Sequence, residues 1–171
     1  EADETFIGGK EKNKHKDKKL NAGRGTVGKA VVMGLLERHT GEARTKHVRD
    51  TTQKTLHEEV RANVEEGSAL YTDTHGGYVG LEANYIHETV NHLEEYVRGA
   101  VHTNSLENYW TLFKRCYGGT WTHLSDDHLH RYLVEQEYRF NTREGEDGGR
   151  FIGAVVQTPG KRLTYKELIG R

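Results

Sequence analysis

The run of residues at 28–38, GKAVVMGLLER, constrains the fold more than any other part of the sequence. Between Lys29 and Glu37 every residue is apolar or glycine, without the alternation of a strand that has one wet face. Such continuity is typical of a central strand covered on both sides. Strand-like runs at 2–8 and 41–49 flank it, so the sequence predicts a sheet with helices packed above and below.

The rest of the chain alternates helical and extended patterns. Leu56, Val60 and Val64 recur every four residues and predict a helix over residues 51–65. Further strands are predicted at 68–73 and 84–90, and helices at 103–117, 125–143 and 147–157. Three strands, a helix, two strands and then helices predict an α/β protein with a mixed sheet flanked by helices.

Composition limits the compartment and the kind of site. The 171 residues are 33% hydrophobic and 30% charged, with a mean hydropathy of -0.88, which suits one rather polar domain over residues 1–171. No apolar run has the length of a membrane span, and no signal peptide is visible. A single cysteine, Cys116, excludes an internal disulfide and a cysteine-rich zinc site, so we expect a cytoplasmic location. Because the first residue is Glu1, we also expect an upstream region to be missing.

Three acids stand where a cation site is predicted. Asp73 ends the fourth strand just before Gly76-Gly77, Asp3 lies in the first strand, and Glu107 lies near the start of a later helix. Asp73 alone is equally consistent with a residue that caps the following turn. In a sheet ordered 3-2-1-4, however, the first and fourth strands are neighbours, and a helix across them brings the three carboxylates together. Three carboxylates suit Mg²⁺ or Mn²⁺, and two such ions about 4 Å apart perform phosphodiester chemistry.

The helix predicted at 103–117 has two distinct faces. The face expected to pack on the sheet consists of Leu106, Tyr109, Phe113 and Cys116, and the polar face of Asn104, Glu107, Thr111 and Lys114, with Trp110 beside it. An ordinary solvated stripe explains the polar face equally well.

The net charge of -1 argues weakly against a general nucleic-acid binder, but the basic residues are unevenly spread. The segment 10–19 is either a solvated loop or an arm that contacts phosphates. The candidate DNA-binding residues are Lys10, Lys12, Lys14, Lys16, Lys18, Lys19 and Arg24, together with Lys114 and Arg115 on the helix.

At these residues the chain resembles a known family, the ISXO2-like transposases of the IS1595 group in the DDE superfamily. The similar segments include DETFIGGKEKNKH, GRGTVGKAVVMGLLER, LYTD, HETVNHLEEYVRGAVHTNSLENYWTLFKR, HLHRYLVEQEYRFNTR and GKRLTYKELIG. The resemblance implies an RNase H-like integrase/transposase catalytic core that cuts and joins DNA at transposon ends with Mg²⁺ or Mn²⁺. It implies DNA as partner, a homo-oligomer on DNA, and a bacterial cytoplasmic, nucleoid-associated location.

Site residues follow from the same resemblance. Asp3 and Asp73 are implied as the first two catalytic acids and metal ligands. The third lies in HTNSLEN, where Glu107 is the first choice and Asn104 the rival, and Lys114 is the accompanying lysine. Family members usually carry an upstream zinc-ribbon or helical DNA-binding region, which we expect to be absent from residues 1–171. The alternative function is a catalytically inactive DNA-binding or assembly module on the same fold.

Other motifs are weaker. His123, His128 and His130 suggest zinc, but residues two apart on a helix point to different sides. His102 precedes the polar helix and is a candidate contact for the scissile phosphate. Residues 23–29, GRGTVGK, lack the spacing of a phosphate-binding loop and precede a strand instead of a helix.

Overall fold

A computed structural model describes residues 1–20, 25–90, 102–121 and 124–169 of the chain. The chain divides into two compact units, Glu1–Phe140 and Asn141–Arg171. The first unit contains both predicted acidic strands and the polar helix, and therefore every candidate catalytic residue.

The first sheet confirms the three predicted strands. Strand β1 (Ala2–Ile7) pairs antiparallel with β2 (Ala30–Glu37), which pairs antiparallel with β3 (Glu42–Val48). The central strand is covered on both faces, as its apolar run predicts. Val32 and Leu36 join one buried cluster, while Met33 joins the other.

The predicted strand order 3-2-1-4 is wrong for the hydrogen-bonded ladder. In the part of the chain that the structure describes, β4 (Ala69–Asp73) pairs with β5 (Ile86–Val90) in a separate parallel sheet. Strands β1 and β4 still lie beside one another. The physical reason is that β4 finds its backbone partners in β5, which the predicted order left unpaired.

Two helices cover the two faces of the first sheet. Helix α1 (Gln53–Asn63) begins after the N-cap Thr52 and buries Leu56 and Val60 completely, as predicted. Helix α2 (Asn104–Gly119) covers the opposite face. Its buried side chains are Leu106, Tyr109, Trp110 and Phe113, whereas Cys116 is only partly buried.

Helix α3 (Leu129–Asn141) completes the first buried cluster. A short 3-10 helix at Asp126–His128 precedes it, so the α-helix begins later than the predicted residue 125. The Phe140 ring meets the Tyr109 ring edge-to-face, with centroids 5.0 Å apart. This contact packs α3 against α2, and Glu137 of α3 also accepts hydrogen bonds from Thr45 of β3.

The second unit is small and helical. Helix α4 (Asp147–Val155) matches the prediction for 147–157. A further short helix, α5 (Tyr165–Leu168), was not predicted from the sequence and begins at a capping box formed by Thr164 and Glu167. Among the described residues no helix is both long and apolar enough to cross a membrane.

Candidate active site

Asp3 is held between strand β2 and helix α2 in the first unit. It lies on β1 opposite Gly34 of β2, and its Oδ2 accepts a hydrogen bond from Nε1 of Trp110 at 2.9 Å. Burial, and then the charges of Glu4 and Asp73, raise the pKa of Asp3 to about 7, while the Trp110 hydrogen bond opposes the rise. A carboxylate in this setting gains from any nearby cation.

Asp73 lies at the tip of β4 and caps the turn that follows. Its Oδ1 accepts a hydrogen bond from the backbone nitrogen of His75 at 2.9 Å. The capping role considered in the sequence analysis is therefore present. It does not exclude a cation, because the charge of Asp73 also contributes to the raised pKa of Asp3.

A second buried acid, Glu4, was not predicted from the sequence. Its Oε2 accepts a hydrogen bond from the Tyr78 hydroxyl at 2.8 Å, and its Oε1 lies 3.6 Å from Nδ1 of His75. Burial raises the pKa of Glu4, and the charge of Asp73 adds to the rise, whereas the Tyr78 hydrogen bond lowers it. The position of Glu4 directly after Asp3 could have revealed it. Neighbouring residues of a strand point to opposite faces, so in a sheet covered on both sides one acid is directed towards each covering layer.

The polar face of α2 is exposed, which matches the alternative of an ordinary solvated stripe. Asn104, Glu107, Thr111 and Lys114 all lie at the surface. Within the described residues, no three His, Cys, Asp or Glu side chains form a group able to hold a metal ion. The structure brings Asp3 and Asp73 near each other. It does not bring Glu107 to them, since the three acids form no such group. The choice between Glu107 and Asn104 as third site residue stays a prediction.

A buried network also missed by the sequence analysis holds the start of α2. The Glu1 side chain is fully buried; its Oε2 accepts the Leu106 backbone N–H at 3.0 Å and its Oε1 lies 2.7 Å from Nε of Arg38. The Arg38 guanidinium contacts the backbone carbonyl and Nδ1 of His102 and lies 4.2 Å from the centre of the Tyr71 ring. His102, a candidate phosphate contact, is thus occupied in fixing the helix.

The basic segment 10–19 folds into two 3-10 helices, Glu11–Asn13 and Lys16–Lys18. Nζ of Lys14 lies 2.8 Å from Oε2 of Glu11, so this lysine is neutralised locally. Lys10, Lys12, Lys16 and Lys18 are exposed, as are Lys114 and Arg115, while Lys14 and Lys19 are partly buried. Arg24 lies outside the described residues.

The weaker candidates gain nothing from the structure. His128 ends a 3-10 helix and His130 lies in α3, and neither belongs to a metal-binding group among the residues described. His123 is outside the described residues, and so are residues 21–24 of the glycine-containing segment that precedes β2.

The first unit is a mixed α/β fold with two acids on neighbouring strands and an exposed polar face on helix α2. The family model for the ISXO2-like transposase domain matches residues 1–141, which is nearly the same range as the first compact unit. The chain belongs to this family, as its motifs indicated. Neither the curated proteins nor the solved structures contain a match to the chain. Membership gives the chain a transposition-related function and implies DNA as its partner.

Proposed function

We propose that this chain is the catalytic core of a DDE transposase that cleaves DNA at transposon ends and joins the cut strand to target DNA. The observation that carries the proposal is the pairing of Asp3 and Asp73 on two neighbouring strands, close enough for one charge to raise the pKa of the other. Two partly buried acids close together lower the stability of the fold, and a bound cation offsets this cost.

The donor set fits a hard divalent cation. Mg²⁺ in nucleic-acid enzymes is commonly held by one or two carboxylates plus substrate phosphates, and Asp3 and Asp73 supply the two carboxylates. When bound, such an ion supplies charge stabilisation at the phosphodiester and an activated oxygen nucleophile. Glu107, or Asn104 in its place, contributes the third group from α2. Lys114, also on this face, donates hydrogen bonds to the scissile phosphate and orients it.

The exposed lysines of the segment 10–19 contact the DNA backbone in this proposal, together with Lys19, Arg24 and Arg115. Such contacts release counterions, so duplex binding is expected to weaken steeply with salt and to show no sequence preference. Lys12→Gln should lower the salt slope by about 0.9. Lys14→Gln should change it less, because Glu11 already neutralises Lys14. Fluorescence anisotropy across a salt series measures both slopes. If both variants keep the slope of the wild type, the segment does not lie in the interface.

The central test is Asp73→Asn, a change of charge with little change of volume. Cleavage and strand transfer on DNA carrying the transposon ends should fall by more than about 100-fold, since outer groups around a metal alone are worth roughly 10–100-fold. Mg²⁺ or Mn²⁺ should raise the melting temperature of the wild type and not of this variant. Asp127→Asn, at an exposed position, is the matched control. Full activity in Asp73→Asn would refute the proposal.

A second candidate is a catalytically inactive DNA-binding or assembly module. The observation in its favour is that Glu107 does not join Asp3 and Asp73 among the described residues. The same experiment separates the two functions. A wild-type protein that binds DNA, forms homo-oligomers on it, and neither cleaves DNA nor responds to Mg²⁺ or Mn²⁺ would be the inactive module.

A further inference from the structure

Trp110 connects helix α2 directly to the first catalytic acid. The indole ring is 4% exposed, and its Nε1 donates a hydrogen bond to Oδ2 of Asp3 at 2.9 Å. An indole N–H can only donate, and a buried donor needs an acceptor. Each partner therefore restricts the other, and the orientation of the Asp3 carboxylate depends on where α2 holds the ring.

Gly34 makes this contact possible. It lies opposite Asp3 in the β1–β2 ladder, directly under the indole ring. A Cβ at position 34 would lie 2.6 Å from Cζ2 and 2.8 Å from Cη2 of Trp110, which is closer than carbon atoms approach without displacement. The missing side chain on β2 therefore gives the indole room to extend across that strand to β1.

The bond also aligns α2 with the acidic strands. Trp110 is three residues after Glu107, so the two side chains emerge from neighbouring turns on adjoining parts of the helix surface. The ring is further fixed edge-to-face against Tyr109, with centroids 5.2 Å apart. A shift of α2 along the sheet would break the bond to Asp3.

We propose that Trp110 is a positioning residue for the catalytic cation. It holds the Asp3 carboxylate in the orientation that receives a divalent ion together with Asp73, and it keeps α2 in register with β1. Trp110 acts through Asp3 and does not touch the ion. The inference deepens the proposed function and rests on it.

The two tryptophans of the chain provide a direct test. Trp121 packs against the rings of Phe113 and Tyr132, at 5.5 and 5.0 Å between centroids, and serves as the internal reference. In a ¹⁵N-labelled protein each indole N–H gives one NMR signal, and Trp121→Phe assigns them. MgCl₂ should shift the Trp110 signal and leave the Trp121 signal in place. A Trp110 signal that stays unmoved at saturating Mg²⁺ would overturn the inference.

Matched variants measure the size of the effect. Trp110→Phe keeps most of the ring and removes the donor, so the Kd for Mn²⁺ in calorimetry should rise about 10-fold. Trp121→Phe removes an indole of the same size elsewhere and should leave the Kd unchanged. An unchanged Kd in Trp110→Phe would overturn the positioning role. If Trp110→Phe does not fold, the NMR titration of the wild type decides alone.

The outcomes separate this inference from the function on which it rests. A wild-type protein that binds Mn²⁺ with equal affinity in both tryptophan variants retains the proposed function and loses the positioning role. A wild-type protein that binds neither Mg²⁺ nor Mn²⁺ overturns the cation site, and the positioning role is overturned with it.

Discussion

Asp3 and Glu107 are two carboxylates predicted for one site, yet the fold gives them opposite surroundings. Asp3 lies between β2 and α2, bonded to Trp110 and close to two other acids, whereas Glu107 lies on the exposed face of α2. The strand acids are therefore fixed by the packing of the domain itself. The helical acid lies outside this packing, on the exposed surface of α2.

The largest effect on stability is expected at Asp3. Its pKa is about 7 in the folded protein against 3.8 in the unfolded chain, so between these values the folded state keeps a proton that the unfolded chain has lost. The contribution of Asp3 to stability is therefore fully present below about pH 4, falls as the pH rises towards 7, and stays low above it.

Asp3→Asn should remove this loss. The free energy of unfolding at pH 8 should rise by about 2–4 kcal/mol, the upper value being the full pKa difference converted to energy. Urea unfolding at pH 5 and pH 8 measures it, with Asp127→Asn as the control of identical chemistry at an exposed position. A variant as pH-dependent as the wild type would mean that Asp3 is not the buried acid of this site.

Gly34→Ala should have the next largest effect. The added methyl group would collide with the Trp110 ring and with Cδ2 of Leu106, which lies 3.0 Å from the added carbon. We expect a loss of about 1–3 kcal/mol in the free energy of unfolding, the usual cost of overpacking. Gly118→Ala is the matched control, because nothing lies within 4 Å of its added carbon. That change in α2 should raise stability by about 0.5–1 kcal/mol, and equal effects at both glycines would contradict the close packing.

The smallest effect on stability is expected at Glu107. Glu107→Gln on the exposed face should change the free energy of unfolding by less than about 0.5 kcal/mol. If Glu107 is the third ligand, the same variant should lose strand transfer by more than about 100-fold, while Asn104→Ala should lose less. The reverse ranking in a strand-transfer assay would assign the third position to Asn104.

The sequence predicted those parts of the fold that local patterns carry. The apolar run of β2 and the stripe of Leu56 and Val60 were sufficient for the central strand and α1, since burial periodicity is a local property. The pairing of β4 with β5 was not predictable in this way, because which strands become neighbours does not show in the periodicity of either.

The proximity of Asp3 and Asp73 was predictable to a similar extent. Asp3 and Asp73 stood out as acids in apolar strands. Trp110 was placed beside the polar face because its burial depends on the space above Gly34, in a strand far away along the chain. Glu4 was missed because its partner Tyr78 comes from a turn whose position only the tertiary structure defines.

The most direct test of the cation site is a crystal of this protein soaked in MnCl₂ and measured for anomalous scattering. We expect a peak about 2.1 Å from carboxylate oxygens of both Asp3 and Asp73, with Glu107 or Asn104 of α2 beside it, and no such peak in Asp73→Asn. A strong peak at His128 or His130 instead, or no peak near Asp3 and Asp73, would contradict it.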